Sequence, residues 1–451
     1  MIRQRLQSIW HSWNPSAFHL IAFFVLCRLM ILLYYEAYIT DVAYFLEIAK
    51  QGLLTPSKAY QDFSFGYPPV GLFFAYLPAQ FSQLEFWAYW RTFRAQMFCV
   101  DLLVFTWAFY FLKKHLNLAH QKIFIFVIFY VLFGFLQGHL LYDRMDLLIV
   151  LSLFGIFYVA TTRPTQKIRI ILLSLFGMLV KFVPVLYALL LTLTNRFLTV
   201  PLEGTTRQRL FSLFGRGLLY LVGLMAPFLI VLGLYNTLIA SGVFKDLDMH
   251  FQRGIQVEST WATPVIIKHW MGKSDETLSV SNFGAQHIDE HQVSSVYLSL
   301  AKNLGLITLI WFGLTLFLRW LPAYQKSLDA KSLPSRAQLA LLLWISLFCL
   351  FLATQRVLSP QFFIWLMIPL ALIQSLQWDL KLASLSLILY ALTYIGFDMG
   401  YWKFVSGDGF YTSVVALRNL TLILITIYSC RKLGRFCQKV SGGEAAAMAH
   451  Q

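Results

Sequence analysis

Apolar residues fall along this chain in long blocks joined by short polar links, without the two-residue alternation of half-buried strands. A block of about 20 residues matches a hydrocarbon core about 30 Å thick. Inside lipid only a helix satisfies its own backbone polar groups, and the alternating strands of an outer-membrane barrel are absent. The blocks predict helices over 17–37, 92–112, 121–137, 146–162, 167–180, 182–195, 213–239, 293–318, 337–353, 360–376, 380–398 and 413–430. The stretch 167–195 reads either as one bent span or as a tight hairpin, so the total is about 11–13 spans. The expected fold is all-α: a polytopic transmembrane helix bundle forming one integral-membrane unit over 1–440, followed by a disordered tail, 441–451. The polar stretch Met1–Ser16 runs into the first block with no small-residue cleavage pattern, which predicts an uncleaved first span.

Composition agrees with this pattern. Only 13% of residues are charged, where a soluble domain carries about 25%. The net charge of +15 raises the thought of a nucleic-acid partner, but the basic residues are scattered as short flanks between apolar blocks rather than gathered on one face. With the N-terminus in the cytoplasm and each span reversing the side, Lys113, Lys114, Arg163, Arg196, Arg319, Arg431 and Lys432 fall inside, as the positive-inside rule requires. The acids do the opposite. Glu203, Asp329, Asp379 and Glu444 fall inside and Asp101 within a span, and the remaining acids lie outside or at the outer edge. Acids contribute little to topology, so this bias suggests a polar site on the outer face. No CxxC pair occurs among the five cysteines, so neither a disulfide framework nor a zinc site is indicated.

Two expected outer connections are long, 38–91 and 241–292. The first holds an amphipathic stretch, Asp41–Lys50, and an apolar aromatic piece, Tyr67–Tyr89, whose prolines predict an interfacial helix instead of a straight span. Loops of this length are usually functional or disordered.

Several residues on that side could carry chemistry. Asp41 is placed to act as a general base on a hydroxyl, or to cap the amphipathic helix, with Thr40 as the rival cap. Asp62, in the turn Tyr60–Pro69, is a carboxylate among aromatic residues, and Tyr67-Pro68-Pro69 closes that turn; carboxylates bind sugar hydroxyls and aromatic faces stack on sugar rings. In Tyr142-Asp143-Arg144-Met145-Asp146 two acids flank an arginine, either as a structural ion pair or as functional charges at the membrane edge. Lys181 lies between apolar runs and could hold a phosphate, or snorkel to headgroups. Arg253 and Glu258 are candidate ligands for an anionic headgroup or a sugar, or plain loop charges. Arg356 precedes Ser359-Pro360-Gln361, where a helix start favours anions; the same residues also read as helix-start chemistry, with Ser359 as cap and Pro360 first in the helix. His287 and His291 have i, i+4 spacing, but the intervening pattern of a zinc peptidase is missing. No phosphate-cradling glycine loop is present, which argues against a nucleotide-driven pump.

The order of these segments is more specific than any one of them. Asp41 followed by Tyr44, then Tyr67-Pro68-Pro69, then Ser359-Pro360-Gln361 resembles the GT-C membrane glycosyltransferases, closest to the bacterial polyprenol-phosphate-mannose-dependent mannosyltransferases. That group carries a DxxxY segment, a YPP segment and an SPQ-type segment in this order; here the first is one residue shorter. Tyr142-Asp143-Arg144, Val180-Lys181-Phe182 and Arg253-Gly254 also look like family positions, so the resemblance runs from the first span to about residue 376.

The resemblance implies GT-C-like extracytoplasmic loops with interfacial helices, and a hexosyltransferase of the cell membrane. Its donor would be a polyprenyl-phosphate-linked sugar, mannose by analogy, and its acceptor a lipid or glycan. Asp41 would be the catalytic base. Tyr44, Asp62, Tyr67, Asp143, Arg144, Lys181, Arg253, Glu258, Arg356 and Gln361 would bind substrate. Val42-Ala43 follow Asp41, so the family's two-acid motif is incomplete, which implies transfer without a divalent metal or other cofactor. The rival expectations are a flippase or transporter, or a polymerase, of lipid-linked glycans.

Overall fold

A computed structural model describes residues 15–35, 41–54, 58–199, 205–239, 241–272, 279–282, 285–289, 291, 293–325 and 332–448. Residues 1–14, the rival cap Thr40, and the expected inner-side acids Glu203 and Asp329 lie outside the described residues.

The chain is a helical membrane protein. Its helices are α1 (Ala17–Tyr34), α2 (Asp41–Leu54), α3 (Pro69–Ser82), α4 (Phe86–Tyr110), α5 (His120–Leu136) and α6 (Asp146–Thr162). There follow α7 (Lys167–Met178), α8 (Pro184–Thr199), α9 (Thr206–Leu238), α10 (Val243–Gln252) and α11 (Thr263–Trp270). The last are α12 (Ser295–Thr315), α13 (Leu321–Gln325), α14 (Leu333–Thr354), α15 (Ile364–Leu376), α16 (Leu380–Thr393), α17 (Tyr401–Val405) and α18 (Gly409–Met448). Between α11 and α12 a two-stranded antiparallel hairpin, β1 (Ser279–Asn282) and β2 (Ala285–Ile288), pairs Ser279 with Ile288. Among the described residues seven helices are long and apolar enough to cross a membrane, and α5, α6 and the 360–376 helix are shorter apolar ones.

Apolar periodicity sorts these helices into layers. α6 and α15 are hydrophobic on every side and almost wholly buried, as a helix without a polar face must be. They form the centre with α5 and α14, and α18 packs along α14. In contrast α1, α9 and α12 bury less than a third of their apolar windows and turn side chains such as Leu33, Phe214 and Trp311 outward, which is the expected lipid-facing surface.

The stretch 167–195 is a tight hairpin. The Ser152 hydroxyl of α6 donates to Leu173 O of α7, and the Asn195 amide of α8 donates to Ala160 O at the other end of α6. Both helices therefore run antiparallel to their predecessors, and their turn holds Lys181. Three other expectations shift. The helix expected within Tyr67–Tyr89 ends at Ser82, because Gln83 and Leu84 take positive φ, and α4 begins at Phe86, shortening the first loop. The polar loop 241–292 is organised into α10, α11 and the hairpin. The tail expected to be disordered continues α18 to Met448.

Two buried polar groups tie the spans together. Arg28 of α1 donates through Nε to Asp101 of α4 at 2.8 Å, and through its two terminal nitrogens to the carbonyls of Val131 and Tyr130 on α5. Asp101 also accepts from the hydroxyls of Tyr130 and Tyr142 at 2.6 and 2.8 Å. All four side chains are almost completely buried, so the charges are matched and the carboxylate carries three donors, the condition under which a buried pair is tolerable. Gly134 makes room for this network, since a Cβ there would lie 1.9 Å from the Arg28 guanidinium.

Candidate functional site

The helix order brings the described residues of the connections 35–86, 137–146, 179–184, 239–295, 355–364 and 398–409 to one end of the bundle, and these connections bond to each other. The first turn of α3 donates from Val70 N and Gly71 N to Leu179 O beside Lys181. Pro69 occupies the first position of that helix, where its missing N–H costs nothing. Tyr60 donates its hydroxyl to Tyr67 O, and its carbonyl faces Gly242, where a Cβ would stand 2.1 Å away. Gly242 has φ 111°, so glycine is required there twice over. Gln256 N donates to Arg356 O. His139 pairs with Asp398.

At this end lies a cluster of charged side chains. Asp41, in the first turn of α2, forms an ion pair with Arg144. Lys181 lies 3.1 Å from Asp146, at the start of α6, and the Trp365 indole donates to the same carboxylate oxygen at 2.8 Å. The Lys181 ammonium also sits 4.5 Å from the ring centre of Phe362, 5.4 Å from Trp365 and 5.9 Å from Tyr67. Burial pulls its pKa below the ordinary lysine value, against the opposing attraction of Asp146. Tyr67 interacts electrostatically with Asp146, Arg253 and Tyr44, and burial pushes its hydroxyl well above the usual tyrosine range. Arg253 completes the group. Burial depresses its pKa, and among the described residues its buried Nε has no hydrogen-bond partner.

The cluster thus contains three cations, Arg144, Lys181 and Arg253, against two carboxylates, Asp41 and Asp146. Two cations are matched by those carboxylates. Arg253 is the surplus charge, partly buried and in electrostatic contact with Tyr67. A buried donor left without an acceptor costs about 1–3 kcal/mol, more when charged, so an anion delivered there is stabilised by a group already paying for its isolation.

The other expected site residues are placed differently. Asp143 does not pair with its neighbour Arg144. Both its oxygens are taken by Arg94 of α4, at 2.6 and 2.9 Å, and it is buried. Arg94 also donates to Tyr35 O at 2.6 Å and lies over the Trp90 ring. The ion pair expected inside this segment, with Arg144 as its cation, is not the one formed: Asp143 pairs with Arg94, and Arg144 with Asp41. Asp62 is exposed and accepts from Lys58 N at 2.6 Å, closing its own turn. Tyr44 is exposed, stacks on Phe65 and donates to Ser64 O.

Arg356 is half-buried, its pKa lowered by burial, at a backbone joined to Gln256. Gln361 is buried and pairs with the Ser359 hydroxyl, so Ser359 makes no side-chain cap although Pro360 does open the short 3₁₀ turn Pro360–Phe363. Glu258 lies under the loop surface, almost fully buried, with one carboxylate oxygen unpartnered among the described residues. Burial pushes its pKa up to about 7, against the pull of Arg418 and bonds from Tyr401 and Gln256. His287 sits on β2 and His291 in a single turn, so their helical spacing is not realised. Among the described residues no group of three or more His, Cys, Asp and Glu side chains converges.

Sequence reasoning did not single out Arg94 or Trp365 as parts of this end, nor Asp146 as the partner of Lys181. Asp146 is visible only as the second acid of its segment, and Arg94 and Trp365 look like ordinary positions within spans. No family model matches the chain, and neither does any curated protein or solved structure.

Proposed function

We propose that this chain is a multi-pass membrane glycosyltransferase of GT-C type. It moves a hexose from a polyprenyl-phosphate donor to a lipid or glycan hydroxyl on the outer face of the cell membrane. The observation that carries the proposal is the surplus cation: Arg253, whose buried Nε has no partner among the described residues, acts electrostatically on Tyr67 and on Lys181, and Lys181 itself sits over the rings of Tyr67 and Trp365. A phosphate monoanion or dianion matches that charge, and a guanidinium binds phosphate with good geometry.

In the reaction, Arg253 and Lys181 hold the donor phosphate, with Arg356 on the adjoining backbone. Asp41 accepts the proton of the acceptor hydroxyl as its oxygen attacks the anomeric carbon. The bond from that carbon to the phosphate oxygen breaks, and the polyprenyl phosphate leaves as an anion on the two cations. One displacement inverts the anomeric centre. Arg144 fixes the Asp41 carboxylate and keeps it ionised, and the cost is a weaker base. Sequential proton transfer by a positioned carboxylate contributes about 10²–10⁴-fold.

The transporter alternative is less well supported. It calls for charges along a midplane path, whereas Arg28 and Asp101 are locked to each other and to two tyrosines. The test is incubation of the purified, lipid-reconstituted chain with radiolabelled polyprenyl-phosphate-mannose and a membrane-lipid extract. Label in a new covalent product supports the transferase. Label that crosses the bilayer with its donor intact contradicts it and favours the flippase.

A further inference from the structure

Arg253 belongs to a long connection, and something must hold it against Tyr67. The anchor lies in the last span, outside the segments that carry the family resemblance. Arg418 and Asn419 of α18 are both 1% exposed. Arg418 donates through Nη2 to Glu258 O, and through Nε and Nη2 to Asn419 Oδ1 at 3.2 and 2.9 Å. Asn419 Nδ2 in turn faces Glu258 O at 3.3 Å, Ser259 O at 3.2 Å and Thr263 Oγ1 at 2.8 Å. The Arg418 guanidinium also lies 5.8 Å from the Phe363 ring. A charged residue buried in a span is expensive and is retained for a purpose. Here its donors go to a loop carbonyl.

The loop between this anchor and Arg253 is stiff. Ile255 and Val257 are buried in a small core with Ile266, Ile288, Ala301, Phe404 and Val415. Their backbones pair with β2, Ile288 N to Ile255 O at 2.7 Å and Val257 N to Gln286 O at 3.1 Å. Between them, Gln256 N reaches Arg356 O at 2.9 Å. Restraint at 258–263 is therefore passed to both arginines through hydrogen-bonded backbone.

We infer that Arg418 and Asn419 are positioning residues: a latch in the last span that sets the loop bearing Arg253, and through Gln256 the turn bearing Arg356, for anion binding. The inference rests on the anion site proposed above. It makes the site depend on a helix that never touches the ligand.

Two readouts on the full chain in detergent test it. The first is hydrogen exchange of residues 253–263. The second is the affinity for geranyl phosphate, a short prenyl-phosphate probe, followed by tryptophan fluorescence, since Trp365 lies beside Lys181. Asn419→Ala is expected to speed exchange in that segment alone and to weaken probe binding about 10-fold, the scale of one lost hydrogen bond. Arg418→Gln should do the same, and Arg418→Lys should recover part of the affinity by restoring the cation. Asn419→Ala keeps the arginine, so the idea stays testable if the arginine variants do not fold. Unchanged exchange in both variants overturns the latch. Faster exchange with unchanged affinity overturns the positioning role. A wild-type chain that does not bind the probe sinks the anion site instead, and exchange alone then decides the latch.

Discussion

Asp41 and Arg144 close an ion pair between the first turn of α2 and the turn that leads into α6. Arg144 reaches across because its neighbours are held elsewhere: Asp143 by Arg94, and Asp146 by Lys181 and Trp365. Tyr142, one residue earlier, is held by Asp101. The side chains of this one short turn thus reach α4 from Tyr142 and Asp143, α2 from Arg144, and both α15 and the turn at Lys181 from Asp146. Arg144→Gln should free the Asp41 carboxylate without disturbing those other anchors. The acidic limb of the transfer rate against pH then moves upward, because the carboxylate loses the cation that keeps it ionised. A limb that stays where it is in the wild type removes Arg144 from the account.

The Arg94–Asp143 pair is a support rather than a ligand. Breaking a buried pair by removing one partner costs about 3–5 kcal/mol, because the other charge is left without compensation. Arg94→Met should therefore lower the thermal midpoint sharply, and Arg94→Met with Asp143→Leu should recover much of the loss. If the single variant melts like the wild type, the pair does not hold the turn.

Arg253→Ala removes the surplus cation. A hydrogen bond to a charged group is worth about 1.5–3 kcal/mol, so the donor KM should rise about 10- to 100-fold. The acceptor KM should change little. Equal losses for both substrates would place Arg253 in general folding and not at the phosphate.

Glu258 gives a pH signature. Burial raises its carboxyl from the ordinary 4.5 to about 7, so between those values the folded chain keeps a proton that the unfolded chain has released. Its contribution is complete below pH 4.5, is lost as pH rises through that window, and is constant above pH 7. Glu258→Gln keeps the neutral shape and removes the charge. The difference in thermal midpoint, variant minus wild type, should grow between pH 4.5 and 7 and then level off. A flat difference across the range contradicts the buried-acid assignment.

Most of the fold was legible in the sequence, because span length and apolar blocks are imposed by the bilayer itself. α6 begins and ends where its block predicts, and α15 ends there but starts at Ile364, after the 3₁₀ turn Pro360–Phe363. The hairpin at 167–195 was open because α7 and α8 are shorter than a full span, so hydropathy alone could not divide them; the bonds from Ser152 and Asn195 do. The order inside the 241–292 loop was hidden because its small core borrows Ala301, Phe404 and Val415 from distant helices. In the candidate site the charges were visible but their partners were not. Asp143 looked like a partner for Arg144, since they are adjacent, yet adjacent side chains diverge and each found a residue far away in the chain. Arg94 and Trp365 gave no signal, as a lone polar atom in an apolar block reads as filler until its acceptor is known.

The most direct measurement compares transfer of labelled mannose from polyprenyl phosphate by the wild type and by Asp41→Asn, both checked for equal thermal midpoint and equal geranyl phosphate binding. The account predicts a labelled product of inverted anomeric configuration from the wild type. It predicts a fall of at least about 100-fold for the variant, the scale of a lost general base. Asp41→Asn turning over at the wild-type rate, or a folded wild type that forms no product, would contradict it.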